Sequence, residues 1–581
     1  MGNLSGLDDS DRADLVLRMN QLLVGQYHVG GVSEEIESLS IHFVGKLKSQ
    51  QQGHSQASDS IKVKGGLIES DEEVQINLKS FRAVSAREGG GAWMVHQVIE
   101  QLGLVSFLQA QQDLSTRDLE YMLLNLQGRL LNPVSERATA LWAEEGSSSK
   151  SLLSQVHQVY EKRLHQAAWN WWDRHEEVED YLYERLDSLL DFGESRFLYD
   201  LTNTYFEGRM LGSSLAQRGR SKERRSDAPL VSTGLLTNES GFIRRSHFYA
   251  GNVSEPGTLE QVYEFLEGTG GIVTDAGIGT RANIEQLASR GIPYMSVVRE
   301  GFTAYEVDFE QGQYFTHKTS NGQQYGLWLQ YRTHTFEIGQ KSYTDYLIFV
   351  KSEAKQAKED GIVQKQKARF IEGLQAIGSS LEKPRGHKTI ARVHQRLGRL
   401  KTKNSRVAKA FDIHTTDDGK NITSLTWKYD PKGEQRNGSY IIRRSEPVDD
   451  ILQAWKDYIA LTKIEAVNRC CKTDLNMRPV YHHNDRTIQA HLFLTLLACT
   501  IVHFIRHQLA EANIHWSWKE IVRIMNTQKV IASEFTNKNK DWFLLSNWSY
   551  PEAKAKQIYD ALKLEYQPYS GFFFKLTKDD P

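Results

Sequence analysis

At 581 residues the chain is expected to hold two to four domains with sizeable cores, which excludes a single small folding unit. Its 39% hydrophobic and 25% charged residues are ordinary for a globular protein and exclude a disordered or fibrous chain. The 71 Lys and Arg against 73 Asp and Glu give a formal charge of −2, so global charge neither demands nor excludes a nucleic-acid partner and local clusters must decide.

The N-terminal stretch MGNLSGLDDSDRADL has neither a basic nor an apolar targeting region, and a cytoplasmic location is expected. The polar run KSQQQGHSQASDS at 48–60 buries little and reads as a loop. From Trp93 to about Leu190 apolar groups such as Leu119, Met122, Leu123 and Leu126 recur at helical spacing. At Arg196 the texture changes: RFLYDLTNTYFEG reads as a strand with Asp200 inside it. Two alternating stretches around NESG, between Gly234 and Tyr249, predict a hairpin. GGIVTDAGIG places Asp275 directly after an apolar strand, with a helix over 283–289 and a strand over 292–298 to follow. Strands alternating with a helix argue for an α/β core.

Between 300 and 445, WLQYRTHTFEI, DYLIFV, ITSLTWKYD and GSYIIRR are rich in strand formers, and helical stretches near 355–409 interrupt them. Two helices then span roughly 449–473 and 486–510. The apolar stretch Leu492 to Ile505 includes Thr495, Thr500 and His503 and is short for a bilayer, so it reads as a buried helix and no membrane partner is expected. The three cysteines, Cys470, Cys471 and Cys499, are too few for a disulfide framework and match no zinc spacing. They read as reduced, packed thiols. The spacing of His482, His483, Asp485 and His491 likewise fits no ligand pattern, and hydrogen-bonding roles are preferred.

Three segments, YDLTNTYFEG, IVTDAGIGTRANIEQL and YIALTKIEAVNRCCK, resemble in order and context the motif regions of insertion-sequence DDE transposases. The resemblance runs from about residue 80 to 560 and is to the class with a β-rich insertion between the second Asp and the Glu. That class carries Tyr-x2-Arg-x3-Glu-x6-Lys, and this chain has Tyr458, Leu461, Glu465 and Lys472 at those positions. On one continuous helix these four would form a stripe, with Ala460, Ile464, Val467 and Cys471 opposite. The resemblance implies that Asp200, Asp275 and Glu465 are catalytic and bind two Mg2+ ions, with Mn2+ as a substitute, and that Tyr458 and Lys472 hold a DNA phosphate. Leu461 departs from the signature Arg and cannot supply its charge, so Arg469 or Arg478 becomes the candidate replacement.

Residues 383–409 contain ten Lys or Arg and no acidic residue. Arg385, Lys388, Arg392, Arg396, Arg399, Lys403 and Arg406 step by three or four, as on a basic amphipathic helix that tracks phosphates. A second cluster, Arg218, Arg220, Lys222, Arg224 and Arg225, falls in a loop. The expected architecture is a mainly helical N-terminal, DNA-end-binding region (1–190), a ribonuclease H-like core (191–300 and 446–515), a β-rich insertion with the basic helix (301–445) and a candidate dimerisation region (516–581). The implied partners are double-stranded DNA with terminal inverted repeats, target DNA and a second copy of the chain when DNA is bound. A non-catalytic DNA-binding derivative and a nuclease of similar fold are the rival readings.

Overall fold

The computed structural model describes residues 76–568 and 572–576, except 194–195, 222–224, 226, 299–304, 306, 308, 319–321, 431–436 and 479, together with Leu15, Arg18, Met19, Ile36 and Ser40. The polar run at 48–60, like Lys222 and Arg224, lies outside the described residues. The chain divides into two compact units, Met1–Ser254 with Thr462–Pro581, and Glu255–Leu461. Both mix helix with strand, so the α/β class holds, but these boundaries differ from those suggested by composition.

The first unit opens with β1 (Ile76–Glu88), then α1 (Gly90–Gln101), α2 (Leu104–Gln109), α3 (Thr116–Leu131), α4 (Glu136–Leu141), α5 (Glu161–Asp173) and α6 (His175–Leu190). Ser115 and Ser135 start α3 and α4 by accepting the amides of Asp118 and Ala138, satisfying donors that a helix end otherwise leaves bare. An antiparallel meander follows, β2 (Phe197–Tyr205), β3 (Leu230–Asn238) and β4 (Ile243–Ala250), with β3 central. The predicted NESG hairpin is the β3–β4 connection.

The second unit contains β5 (Ile272–Thr274), α7 (Arg281–Ser289) and β6 (Tyr294–Val297), in which the two strands are parallel. Next come β7 (Gln313–Lys318), β8 (Gln324–Ile338) and β9 (Lys341–Ser352), then α8 (Glu353–Glu382), α9 (Ile390–Lys403) and α10 (Ser405–Ala408). A hairpin of β10 (Phe411–Asp417) and β11 (Ile422–Tyr429), strand β12 (Ser439–Arg444) and α11 (Ile451–Ile459) complete it. The strand order β5-β6-β12-β9-β8-β7 joins the strands expected of a separate insertion to those around Asp275. α8–α10 and the β10–β11 hairpin close a core of their own, around Phe370, Leu374, Val393, Leu397 and Phe411.

The chain returns to the first unit as α12 (Thr462–Arg469), a π-helical turn (Cys470–Asp474) and α13 (Asp485–Glu511). It ends with α14 (Trp518–Met525), β13 (Lys529–Asn537), β14 (Trp542–Trp548), α15 (Ala553–Leu562) and β15 (Phe572–Leu576). Strand β1 pairs with β13, so residues near the start of the chain share a four-stranded sheet with its end. The sequence reading missed β1 because most of its residues are exposed and its partner lies in a distant segment. α13 is long and apolar enough to cross a bilayer, but 89% of its most apolar window is buried in protein, as expected for a core helix.

Strand β4 is clamped to α6 by a buried pair. Glu179 and Arg245, each 7% exposed, approach to 3.4 Å, and Glu179 also accepts the Ser246 hydroxyl at 2.5 Å and the Ser246 amide at 3.2 Å. Burial pushes the Glu179 carboxyl up to about 7 from 4.5, against the opposing pull of Ser246 and Arg245. A raised folded-state value favours the native state fully below 4.5, and that contribution is lost as pH rises through about 7. The loss is about 3 kcal/mol at a conversion of roughly 1.4 kcal/mol per unit. Glu179→Gln should therefore flatten the fall in Tm between pH 5 and pH 8, measured by thermal denaturation; an unchanged slope would show that Glu179 does not titrate in that window.

Candidate functional site

Asp200 lies in the middle of β2, opposite Leu235 of β3. Alternation sends neighbouring side chains to opposite faces, so Tyr199 is buried, its hydroxyl 3.2 Å from that of Tyr249, while Asp200 is half-buried on the other face. α12 packs on β2, burying Ile464 and Val467 and leaving Glu465 exposed. Two of the three expected acidic residues thus sit on packed elements of one unit.

Asp275 belongs to the second unit and follows the last residue of β5. Its Oδ1 accepts the amides of Gly277 at 2.8 Å and Ile278 at 3.1 Å, which folds the GIG segment back on the carboxylate. Its Oδ2 receives no hydrogen bond from the described residues. The two glycines are required by close approach. A Cβ on Gly279 would stand 1.8 Å from Ser296 Oγ; one on Gly277 would stand 2.7 Å from Glu255 Oε2 and 2.9 Å from Asp275 Oδ1. Glu255, which the motif comparison did not single out, therefore brings a second carboxylate beside Asp275.

The single stripe expected for Tyr458, Leu461, Glu465 and Lys472 does not form. α11 ends at Ile459, Ala460 and Leu461 make a turn in which the Leu461 amide donates to the Tyr458 carbonyl at 3.1 Å, and α12 begins at Thr462. The π turn from Cys470 then displaces Lys472 from the α-helical register. Tyr458 belongs to the second unit and Glu465 to the first, and Leu461 is half-buried rather than exposed on a helix face. Of the replacement cations, Arg469 is exposed at the end of α12, whereas Arg478 is half-buried and lies over the Tyr205 ring at 5.7 Å, where Arg225 also lies at 4.6 Å.

The basic segment is helical over Ile390–Lys403, with Arg385 and Lys388 ahead of α9 and Arg406 in α10. Val393 and Leu397 are buried against α8, on the side away from the basic steps. Arg396 donates to Ser380 Oγ at 2.7 Å, Arg406 pairs with Glu359 at 3.8 Å, and Arg392 meets His387 at 2.7 Å. Arg385, Arg399, Lys401 and Lys403 are exposed and make no ion pair among the described residues. A face of unpaired cations on a rigid helix pair can bind a polyanion.

Glu136, His482 and His491 gather with ligand atoms within 4.8 Å of one another, and none belongs to the expected carboxylate triad. His491 Nδ1 lies 3.2 Å from an Arg129 guanidinium nitrogen, which can only donate, so Nδ1 is the acceptor. Its Nε2 then donates to the Met477 carbonyl, 3.2 Å away, leaving no lone pair for a cation. Burial, then Arg129 and His482, hold the His491 ring neutral. The cluster reads as a buried polar network, and Asp485, between its two histidines in sequence, staples the Ser213–Leu215 loop by accepting the Ser214 hydroxyl at 2.5 Å and amide at 3.0 Å.

No family model matches the chain, and no curated protein matches it. If the basic face meets duplex phosphates, neutralising Arg385, Arg399 and Lys403 together should lower the slope of log affinity against log salt by roughly 2 to 3. An unchanged slope in a DNA titration would show a merely solvated face.

Proposed function

We propose that the chain is a DDE-type DNA transposase that cuts at element ends and joins them to target DNA, with Asp200, Asp275 and Glu465 as the catalytic carboxylates of a ribonuclease H-like core. The observation that carries this reading furthest is Asp275: one carboxylate oxygen is fixed by two amides while the other is left open, at the C-terminal end of a parallel strand, where α/β sheets commonly bind ligands. Asp200 and Glu465, on packed elements of the first unit, carry hard oxygen donors suited to Mg2+ or Mn2+. Bound there, two such ions would supply activation of the attacking water and neutralisation of the leaving oxygen.

The protein's own share of the work is positional and electrostatic. The Asp275 turn presents a carboxylate whose orientation is set before substrate arrives, so little ordering entropy remains to be lost on binding. Arg469, exposed at the end of the helix that carries Glu465, gives a phosphate a fixed cation near that carboxylate. The α9 face adds cations for DNA phosphates, and pairing of two element ends calls for a dimer on DNA.

One observation favours the second reading, a DNA-binding protein without catalysis: Leu461 lacks the signature charge, and the helix break separates Tyr458 from Glu465. Incubation with the chain's own flanking DNA and Mg2+ separates the two. Nicks and joined products are expected at the element ends, and Asp200→Asn, Asp275→Asn or Glu465→Gln should each reduce them by roughly a hundredfold or more while retaining DNA binding. DNA binding with no cleavage in Mg2+ or Mn2+ by the parent protein would establish the second reading. Cleavage without joining would identify a nuclease.

A further inference from the structure

All three cysteines of the chain meet in the first unit, although a loop and half of a long helix separate the first two from the third. Cys470 and Cys471 open the π turn, and Cys499 reaches them from the middle of α13. The Cys499 sulfur lies 3.8 Å from the carbonyl oxygen of Val467, one helical turn before Cys470 and Cys471, and Cys499 shares a cavity wall with Cys470. Beside them is a cavity of about 310 Å³ whose wall includes Cys470, Cys499, His503, Arg506, His507 and Trp516. That space is several times the roughly 30 Å³ occupied by one water in the liquid, so a small polar reagent can enter it.

We propose that this trio is an oxidation site, in which Cys499 forms a disulfide with Cys470 or Cys471 when a small peroxide reaches the cavity. One thiolate attacks a peroxide oxygen, breaking the O–O bond to give a sulfenic acid and, with protonation, water. The neighbouring thiol then attacks that sulfur and displaces a second water, so two thiols and one hydrogen peroxide become one disulfide and two waters. The third thiol remains beside the bridge and can attack it, moving the bond between Cys470 and Cys471. The bridge would tie the turn that follows α12 to α13.

This proposal stands apart from the functional reading above, and its test needs no DNA. The folded full-length protein is treated with hydrogen peroxide, quenched, alkylated under denaturing conditions and digested for mass mapping. The expected product has lost the mass of two hydrogens, contains a peptide with Cys499 linked to the Cys470–Cys471 segment, and reverts with a dithiol reductant. Cys499→Ala should abolish the link, while Cys470→Ala and Cys471→Ala should each retain it through the remaining partner. The double variant Cys470→Ala/Cys471→Ala gives the same answer as Cys499→Ala should that single variant fold poorly. Three freely alkylated thiols after peroxide, or sulfinic and sulfonic acids without a link, would overturn the proposal.

Discussion

The first unit depends on burying one helix on almost every side. α13 is apolar around most of its circumference and packs against α1, α3, α5, α15, β4 and the π turn that follows α12. Fully burying an aliphatic side chain contributes roughly 1.5–3 kcal/mol, and α13 buries Leu492, Leu494, Leu496, Leu497, Ile501, Val502 and Ile505. Several of its polar residues are satisfied locally or by neighbours. Thr495 and Thr500 bond back to the carbonyls of His491 and Leu496, and His503, held neutral by burial, meets the Ser240 carbonyl at 2.7 Å in the β3–β4 turn. The meander that carries Asp200 and the helix that carries Glu465 are therefore both built on α13.

Around that apolar axis, charge is admitted only in company. Glu179 and Arg245 lie side by side under β4; in the second unit Asp345, fully buried, accepts the Tyr294 hydroxyl at 2.5 Å and forms an ion pair with Arg443 at 2.9 Å. Such pairs add little net stability over an apolar replacement but are costly to break by halves. They fix strand position more than they strengthen the fold. The α9 face inverts the pattern, since Arg399, Lys401 and Lys403 are exposed and make no ion pair among the described residues. The contrast separates the charges that hold the chain together from those free to meet a polyanion.

Much of the secondary structure was legible because its signals are local. The strand-forming residues of FLYDLTNTY and of the long strands of 324–352, and the change to a helical period at 353–403, are such signals, and the structure follows them. Asp200 within a strand and Asp275 just after one were read correctly for the same reason. The Glu465 helix was read too simply. Offsets of three, four and seven describe a stripe only on an unbroken α-helix, and neither the turn at Ala460–Leu461 nor the π turn at Cys470 leaves a mark in a hydrophobic period. Glu255 beside Asp275, Arg129 against His491 and the meeting of the cysteines were invisible because each depends on tertiary placement of residues far apart in sequence.

The pairing of β1 with β13 bears on how the protein is made. Gly89 and Gly90 donate to the Gln528 carbonyl at 3.0 and 3.1 Å, and Trp93 and Gln97 reach the Glu565 carbonyl at 2.9 and 3.0 Å, so α1 is also closed by the C-terminal segment. A ribosome adds roughly 5–20 residues per second, and β1 must wait for nearly the whole remaining chain before its partner emerges. Throughout that interval Leu78, Phe81 and Val84, exposed even in the finished fold, have no sheet to lie against. A chain that stops before Lys529 therefore leaves β1 without its partner strand as well as lacking β13 itself.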